Sequence, residues 1–350
     1  MEEILFPTKS PHITFMFTGQ GCCFPKMGLG LYNSEPIFKE WIDRIDEILK
    51  SKYYGYSMFE KINSIDEKDQ DGLNNQHLSH SALFMFEVSL CKLLNYYGLH
   101  PNLIIGISLG EIASAFCSGM IDLETSCFLT YKRAFSIEKT INGDSTLIIV
   151  AISENEFLNN YSLKYTNIEI ASNLTSSSLL VGGKKNDLLS FCQELKEKKI
   201  FFAQTSLPTS FHTSSMEPIK NDIIQLTINN QSPKITHLSS VNCKFFNGYD
   251  NQFNSTYLYY NIRNQVSLAP TVKVMCNYFD QMNSFDFYHH KNIVIEISPH
   301  NALFQHVQRT IDTIQNFQSK KNTFFFAPLS KGKNEVINLK KMILKINSLN

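Results

Sequence analysis

A serine flanked by two glycines is the strongest candidate for chemistry in this sequence. Ser108 lies in Gly-Ile-Ser-Leu-Gly at residues 106–110, after an apolar run and before a segment with helical propensity. In a strand-to-helix turn of this kind the glycines allow a tight corner, and the serine hydroxyl points away from the sheet. Unpaired N–H groups at the following helix N-terminus favour negative charge, which suits a serine nucleophile. Because the five-residue pattern also occurs in ordinary turns, a bystander serine is the competing interpretation.

A serine nucleophile needs a base, and the chain contains ten histidines. Chain order alone leaves four candidates, which are His80, His212, His300 and His306. In the chain order of an α/β-hydrolase the histidine comes late, which favours His300 and His306. A lone histidine is more often structural than catalytic, so the residues themselves leave the choice open.

Alternating strand and helix patterns surround Ser108 and predict an α/β fold with a parallel sheet. A strand at 12–17 ends in the Gly-rich turn 18–21, at the edge where sites form in open α/β sheets. A helix at 81–94 is apolar over most of its circumference and is therefore expected to be buried. These elements would bring a strand end, a glycine turn and Ser108 together.

A helix predicted to begin at Asp122, which can cap its free N–H groups, carries Arg133. Its apolar stripe lies on one face, and Arg133 lies roughly opposite that face. An arginine in such a position is usually a solvated surface residue. The helical periodicity therefore indicates only that Arg133 lies off the apolar stripe, and it predicts no function for this residue.

The segment 146–206 changes character and predicts the order strand–helix–strand–strand–helix–strand. This is the order of a ferredoxin-like unit inserted into a larger α/β domain. The predicted fold is a large, hydrolase-like subdomain with a parallel sheet and an inserted small subdomain. The expected bounds are 13–143 with 207–330 for the large subdomain, 144–206 for the small one, and polar tails at 1–12 and 331–350.

Composition indicates a soluble globular protein, since 43% of the 350 residues are hydrophobic and 18% are charged. Lys and Arg together number 32, as do Asp and Glu, so no basic excess favours nucleic-acid binding. The eight cysteines show no metal-binding spacing, and no metal is expected. No apolar run approaches the roughly 20 residues that span a bilayer. Without a basic leader at the N-terminus, a cytoplasmic location is expected.

Six separated motifs resemble the acyltransferase family, which includes malonyl-CoA:acyl carrier protein transacylases and the acyltransferase domains of fatty acid and polyketide synthases. They run in the family's order from about residue 13 to 330, and six in register are far more specific than one. The motifs are Phe-Thr-Gly-Gln-Gly at 17–21, Gly-Ile-Ser-Leu-Gly-Glu at 106–111, Tyr-Lys-Arg at 131–133, Ser-Phe-His with Met-Glu-Pro at 210–218, Asn-Ile-Arg with Val at 261–266, and Glu-Ile-Ser-Pro-His at 296–300.

The resemblance implies roles for individual residues. Ser108 would be the nucleophile that forms an acyl ester, and His212 its base. The backbone N–H groups of Gln20 and Leu109 would form the oxyanion hole. Asn261 would orient the histidine.

The resemblance also implies residues that contact the substrate. Arg133 would pair with the free carboxylate of a malonyl-type substrate, which a planar bidentate donor suits. Phe211 resembles the loop of malonyl-type members and would narrow the pocket against an α-methyl branch. Three sites depart from the pattern, and one of them is Cys22-Cys23, which replaces the usual residues after Gly-Gln-Gly. Ile107 replaces the usual histidine beside the serine, and His80 stands where a glutamine is common. We expect Ile107 to alter substrate preference or rate.

The resemblance implies acyl-CoA as the donor, no permanently bound cofactor, and an acyl carrier protein with its phosphopantetheine arm as partner. The chain would be stand-alone or a piece of a larger synthase. Two alternatives stay open. One is a serine esterase or thioesterase with His300 or His306 as its base. The other is a catalytically weak docking module that attracts an acidic carrier through the basic run 196–199.

Overall fold

A computed structural model describes residues 11–66, 69, 73–284 and 291–349 of the chain. The first part contains β1 (His12–Phe17), α1 (Leu29–Ser34), α2 (Pro36–Leu49), α3 (Met58–Asn63), α4 (Gln76–Tyr96), β2 (Leu103–Gly106), α5 (Gly110–Cys117) and α6 (Leu123–Glu138). The middle contains β3 (Ser145–Val150), α7 (Glu154–Asn160), β4 (Glu169–Thr175), β5 (Ser178–Lys184), α8 (Lys185–Glu197) and β6 (Phe202–Gln204). The last part contains α9 (Lys220–Ile224), β7 (Thr236–Ser239), α10 (Ser255–Arg263), α11 (Leu268–Ser284), β8 (Asn292–Ile297), α12 (Phe304–Thr313), β9 (Thr323–Phe326) and α13 (Glu335–Asn347).

The larger sheet has five parallel strands in the order β7-β2-β1-β8-β9. Its central strand β1 is buried along its whole length, as expected for a strand covered by helices on both faces. The chain order reverses at β1, with β2 on one side and β8 on the other. Such a switch point opens a crevice at the carboxyl ends of the strands. The residues that follow β1 and β2 therefore meet at this crevice.

The smaller sheet is antiparallel in the order β4-β5-β3-β6. This is the strand order of a ferredoxin-like unit, so the predicted fold class is confirmed for both sheets. Helices α7 and α8 contribute Phe157, Leu188 and Phe191 to its separate core. The subdomain bounds at 144 and 206 stay a proposal.

The helix α4 shows why these layers pack tightly. Sixteen of its 21 residues are buried, because it lies against α2, α5 and α6. It confirms the helix predicted at 81–94 and begins earlier, where Asn75 caps it by accepting the Leu78 N–H at 3.1 Å. Its burial brings polar residues of the same helix close to the crevice.

The expectation of polar tails is wrong at the carboxyl end. The segment 331–350 contains α13, which buries Leu339, Met342 and Ile346 against the main core. Interleaved lysines hide this apolar stripe when only composition is considered. At the other end, residues 1–10 of the expected tail lie outside the described residues, and His12 already belongs to β1.

Glu335 anchors α13 to the start of α1. Its carboxylate accepts the backbone N–H of Gly28 at 2.7 Å, Gly30 at 3.0 Å and Leu31 at 3.2 Å. These are N–H groups that the first turn of a helix leaves unpaired. A carboxylate there is favoured by both hydrogen bonding and the helix dipole.

Substituting Glu335→Gln should lower the free energy of unfolding by about 1–3 kcal/mol, because three N–H groups lose a charged acceptor. Urea denaturation at pH 7.5 measures the change. Glu124→Gln is the matched control, since its side chain is 66% exposed in a surface pair with Lys52 and should cost less than about 0.5 kcal/mol. Equal effects of the two substitutions would contradict the anchoring role.

Candidate active site

Ser108 stands at the corner between β2 and α5 in a left-handed conformation, with φ of 53°. The flanking glycines serve close packing rather than positive φ. A Cβ at Gly106 would lie 2.3 Å from the Ser114 hydroxyl oxygen, and one at Gly110 would lie 2.3 Å from the Thr18 carbonyl oxygen. The strain of the turn is therefore carried by the serine itself, as in nucleophile elbows.

The structure brings His212 to Ser108, and not His80, His300 or His306. The Ser108 Oγ lies 2.8 Å from His212 Nε2. On the other side of the ring, Nδ1 lies 3.1 Å from the Asn264 carbonyl oxygen. A carbonyl can only accept, so Nδ1 carries the proton and Nε2 is left to accept from the serine hydroxyl. This is the tautomer that a general base requires.

Burial keeps this imidazole neutral. The pKa of His212 is lowered to about 3, chiefly by burial and then by the nearby Arg133 cation, while hydrogen bonds to the backbone of Asn264 and Asn261 oppose the shift. At pH 7 the ring is therefore free to take a proton. His212 also has a φ of 61°, so base and nucleophile are both held in left-handed backbone.

The residues expected to form the oxyanion hole lie at the ends of neighbouring strands. Strands β1 and β2 pair in parallel, so Gln20 and Leu109 follow them at the same edge of the sheet. A Cβ at Gly19 would lie 3.1 Å from the Ser108 Cβ, which shows how closely this loop approaches. Neither the Gln20 nor the Leu109 amide N–H has an acceptor within the described residues. Both are available for a developing oxyanion.

The helix α4 holds this loop in place. Glu87 accepts the Thr18 backbone N–H at 2.7 Å and its hydroxyl at 3.1 Å. The side-chain nitrogen of Gln20 donates to the Ser79 hydroxyl at 3.1 Å, and its Oε1 lies 3.3 Å from His80 Nε2. His80, which stands where the family often has glutamine, thus contacts Gln20 rather than the serine.

Arg133 is not a solvated helix residue, since only 2% of its surface is exposed. Its Nη2 donates to Ser108 Oγ at 3.4 Å and its Nη1 donates to Asn261 Oδ1. Its Nε–H has no acceptor in the described part of the chain. Burial lowers the pKa of Arg133 to about 9, while Glu111 opposes the shift. A cation with a free donor therefore lies beside the nucleophile.

The expected role of Asn261 changes. Its side chain donates to the Ser108 carbonyl oxygen at 3.0 Å and accepts from Arg133, and does not reach the imidazole. The Asn264 carbonyl orients the His212 ring instead. Asn261 lies on α10, and its amide joins this helix to Arg133 on α6 and to the Ser108 carbonyl just before α5.

These groups open into a cavity of about 190 Å³ between the two sheets. Phe211 and Ile107 are both almost fully buried in its walls, at 4% and 5% exposure. Its remaining walls are mainly apolar, lined by Leu147, Ser172, Leu174, Leu180, Leu207, Val266, Leu268, Ala302, Leu303 and His306. The apolar lining and the buried Arg133 cation are complementary to a small, largely apolar group with one negatively charged end.

A buried carboxylate also builds one wall of the cavity. Glu296, from the motif at the end of β8, accepts the N–H groups of Ala302 at 2.6 Å, Leu303 at 2.9 Å and Phe304 at 2.9 Å. It thereby caps α12 and fixes the positions of Ala302 and Leu303, which line the cavity. The motif that contains His300 is structural here.

Three contributors escaped the sequence reasoning. Asn264 acts through its carbonyl, which any residue type could provide, so nothing in the sequence marks it. Glu87 is a lone carboxylate within an apolar helix, and that contrast could have marked it as a buried partner. Glu111 accepts from Tyr257 at 2.6 Å and from the Ser240 hydroxyl at 2.8 Å, and burial raises its pKa to about 7.

Metal ligands do not cluster in this structure. Over residues 11–66, 69, 73–284 and 291–349, no group of three or more His, Cys, Asp or Glu side chains could hold a metal ion. No helix in the same residues is long and apolar enough to cross a bilayer.

Comparison with known proteins gives a consistent result. A family model described as an acyl transferase domain matches residues 14–341. The chain is 39% identical over 336 residues to a probable polyketide synthase 5 of Dictyostelium discoideum, covering 96% of this chain and 13% of that protein. A probable polyketide synthase 6 from the same organism is also 39% identical, with 96% of this chain and 11% of that protein covered. The chain thus spans about a tenth of the length of these relatives.

Solved structures show the same fold. An acyltransferase domain from module 8 of the salinomycin polyketide synthase superposes with a TM-score of 0.85 at 21% identity, covering 97% of this chain and 75% of that one. A loading acyltransferase from the avermectin polyketide synthase gives a TM-score of 0.82 at 21% identity, covering 96% and 99%.

A serine-directed fluorophosphonate should label Ser108 at a nearly constant rate from pH 8 down to about pH 5.5, because His212 stays neutral over that range. The depressed pKa means that protonation removes the base only at lower pH. His212→Ala should slow labelling about 100-fold or more. A rate that halves near the ordinary histidine pKa would contradict the buried, neutral base.

Proposed function

This chain belongs to the acyl transferase domain family, in the form found in polyketide synthases, and on that premise we propose a two-step transfer. It moves a malonyl-type acyl group from coenzyme A to Ser108, and then to the phosphopantetheine thiol of an acyl carrier protein. The observation that carries the proposal is the 2.8 Å contact between Ser108 Oγ and His212 Nε2 beside a buried arginine.

In the first step, Ser108 Oγ attacks the thioester carbonyl and His212 Nε2 takes the hydroxyl proton. The negative charge that develops on the carbonyl oxygen is stabilised by the N–H groups of Gln20 and Leu109. When the tetrahedral intermediate collapses, the C–S bond breaks and the proton on His212 goes to the leaving thiolate. The product is an ester on Ser108 and free coenzyme A.

The second step reverses these roles. The thiol of the carrier's phosphopantetheine gives its proton to His212 and attacks the ester carbonyl. The same two N–H groups stabilise the second intermediate. The C–O bond to Ser108 then breaks, and the serine oxygen recovers the proton from His212. Neither step needs an acid to complete a triad, since the Asn264 carbonyl already fixes the imidazole.

Arg133 supports a substrate that carries a free carboxylate. The guanidinium is buried, lies next to Ser108 and keeps one N–H without an acceptor among the described residues. A buried cation is costly unless it is paired, and the carboxylate of a malonyl group would pair with it in a bidentate manner.

Phe211 supports a preference for malonyl over a methyl-branched unit. Its ring is 4% exposed and lines the cavity next to His212. A methyl group is worth only about 1–3 kcal/mol of discrimination in such a pocket, so the preference is incomplete. Ile107 lies in an apolar wall with Val266 and Leu268. It replaces the usual histidine of the family, while the nucleophile and the base are both retained.

The alternatives have less support. A hydrolase that used His300 or His306 as base does not fit, since His212 occupies the position beside Ser108. A weak docking module does not explain the alignment of nucleophile and base. In the basic run 196–199, Lys198 already pairs with Glu194 at 2.8 Å. We propose instead that the chain works as one acyltransferase domain of a polyketide synthase and meets its carrier there.

Incubation with malonyl-CoA should add one malonyl group to the peptide that contains Ser108, as seen by peptide mass spectrometry. Ser108→Ala should abolish the adduct, because within the described residues no other hydroxyl bonds His212 Nε2. A panel of acyl-CoA donors gives the order of preference, with methylmalonyl expected behind malonyl. No adduct from any donor would overturn the proposed activity.

Arg133→Ala should reduce malonyl transfer about 100- to 1000-fold and acetyl transfer much less, because only malonyl loses a charge partner. Asn261→Ala should act in the same direction, about 10-fold, because its amide positions Arg133. Lys132→Ala, on the neighbouring position of α6, is the control and should change neither rate. Equal losses of malonyl and acetyl transfer in Asn261→Ala would contradict a role that acts through Arg133.

A further inference from the structure

Two carbonyl groups of one short segment hold the catalytic base. The Ile262 carbonyl accepts the His212 backbone N–H at 3.1 Å, and the Asn264 carbonyl accepts its ring Nδ1–H at 3.1 Å. One carbonyl fixes the backbone of the histidine and the other fixes its imidazole. The residue between them is Arg263, at the end of α10.

Arg263 is itself held by two carboxylates. Its Nη1 donates to Glu169 Oε2 at 3.0 Å. Its Nε and Nη2 donate to Glu217 Oε1 at 3.1 Å and 2.9 Å. Glu169 lies on β4 of the smaller sheet, and Glu217 lies in the 3₁₀ turn that follows His212. The guanidinium therefore joins the segment that binds the histidine to the elements on either side of it.

Glu169 also binds the chain just after the base. Its second oxygen, Oε1, accepts the Ser214 backbone N–H at 2.7 Å. One carboxylate of the small sheet thus restrains both segments that meet at His212. The edge of β4 adds backbone bonds to the same region, from the Val266 N–H to the Ala171 carbonyl at 2.9 Å.

We propose that Arg263 is a positioning residue for His212. Through Glu169, the small subdomain also helps to hold the base in position. The inference rests on the proposed function of Ser108 and His212. A histidine at φ of 61° keeps its conformation only where its surroundings over-determine it. The ion pairs of Arg263 with Glu169 and Glu217, called the clamp below, restrain residues 262–264 and thereby the histidine. A misplacement of the base by about 1 Å can lower the rate about 100-fold.

This role differs from a contribution to folding. The Arg263 side chain is 21% exposed and that of Glu217 is 60% exposed, so solvent screens these pairs. Loss of the clamp should therefore affect catalysis much more than it affects stability. Glu194 offers a matched comparison, because its carboxylate pairs with Lys164 at 2.6 Å and Lys198 at 2.8 Å elsewhere on the small subdomain.

The experiment compares Arg263→Gln, Glu169→Gln and the double variant with Glu194→Gln as control. Two rates are measured, the labelling of Ser108 by a fluorophosphonate and the kcat and KM for malonyl loading, together with the melting temperature. Arg263→Gln should lower labelling and kcat about 10- to 100-fold with KM nearly unchanged. Glu169→Gln should lower them less, and the double variant no further than Arg263→Gln, since both residues act through one clamp.

The control Glu194→Gln should leave both rates within about twofold of the unmodified chain. Arg263→Lys keeps the positive charge but not the bidentate hydrogen bonding of a guanidinium, and it should recover part of the lost rate. If Arg263→Gln proves unstable, the comparison of Arg263→Lys with Glu194→Gln decides in its place.

Labelling and kcat that stay within twofold in the Arg263 variants would overturn this inference and leave the proposed function intact. A rate loss that only tracks the melting temperature, equal in the control, would overturn it as well. If Ser108 in the unmodified chain does not react with the fluorophosphonate, the proposed function fails, and the positioning role fails with it.

Discussion

The hydrogen bond between Ser108 and His212 is the contact on which the rest of the structure depends. It joins residues 104 positions apart, each in a left-handed backbone conformation that costs roughly 1–3 kcal/mol for a residue other than glycine. The fold holds each of them from outside. Parallel strands β1 and β2 fix the serine corner, and the carbonyl groups of residues 262 and 264 fix the histidine.

A buried positive charge dominates the electrostatics around this contact. Arg133 lies beside Ser108, and its charge adds to burial in lowering the pKa of His212. The imidazole therefore stays neutral and can act as a base. Glu111 is the acid that opposes the loss of charge on the guanidinium, and burial raises its own pKa to about 7. Within the described residues, the Nε–H of this guanidinium has no acceptor. This arrangement suits an acyl group that brings its own carboxylate.

Local patterns predicted much of the fold because secondary structure and burial leave periodic signals. The apolar strand at β1, the largely buried helix α4 and the ferredoxin-like order of the small sheet were all visible in this way. The burial of helix α13 was missed, since its apolar stripe becomes evident only when a surface exists to cover it. Arg133 was misread by periodicity for a related reason. Helix α6 buries the face that carries Arg133 and leaves Phe135, on the predicted apolar stripe, 41% exposed.

Residue types and their order along the chain were enough to recognise the family and its candidate residues. The contacts between those residues became known from the folded structure. In that structure the carbonyl of Asn264 orients His212, and the Asn261 amide bonds Arg133. The physical reason is that a backbone carbonyl carries no side-chain signature. Distances between residues far apart in the chain depend on how the two sheets and their helices pack.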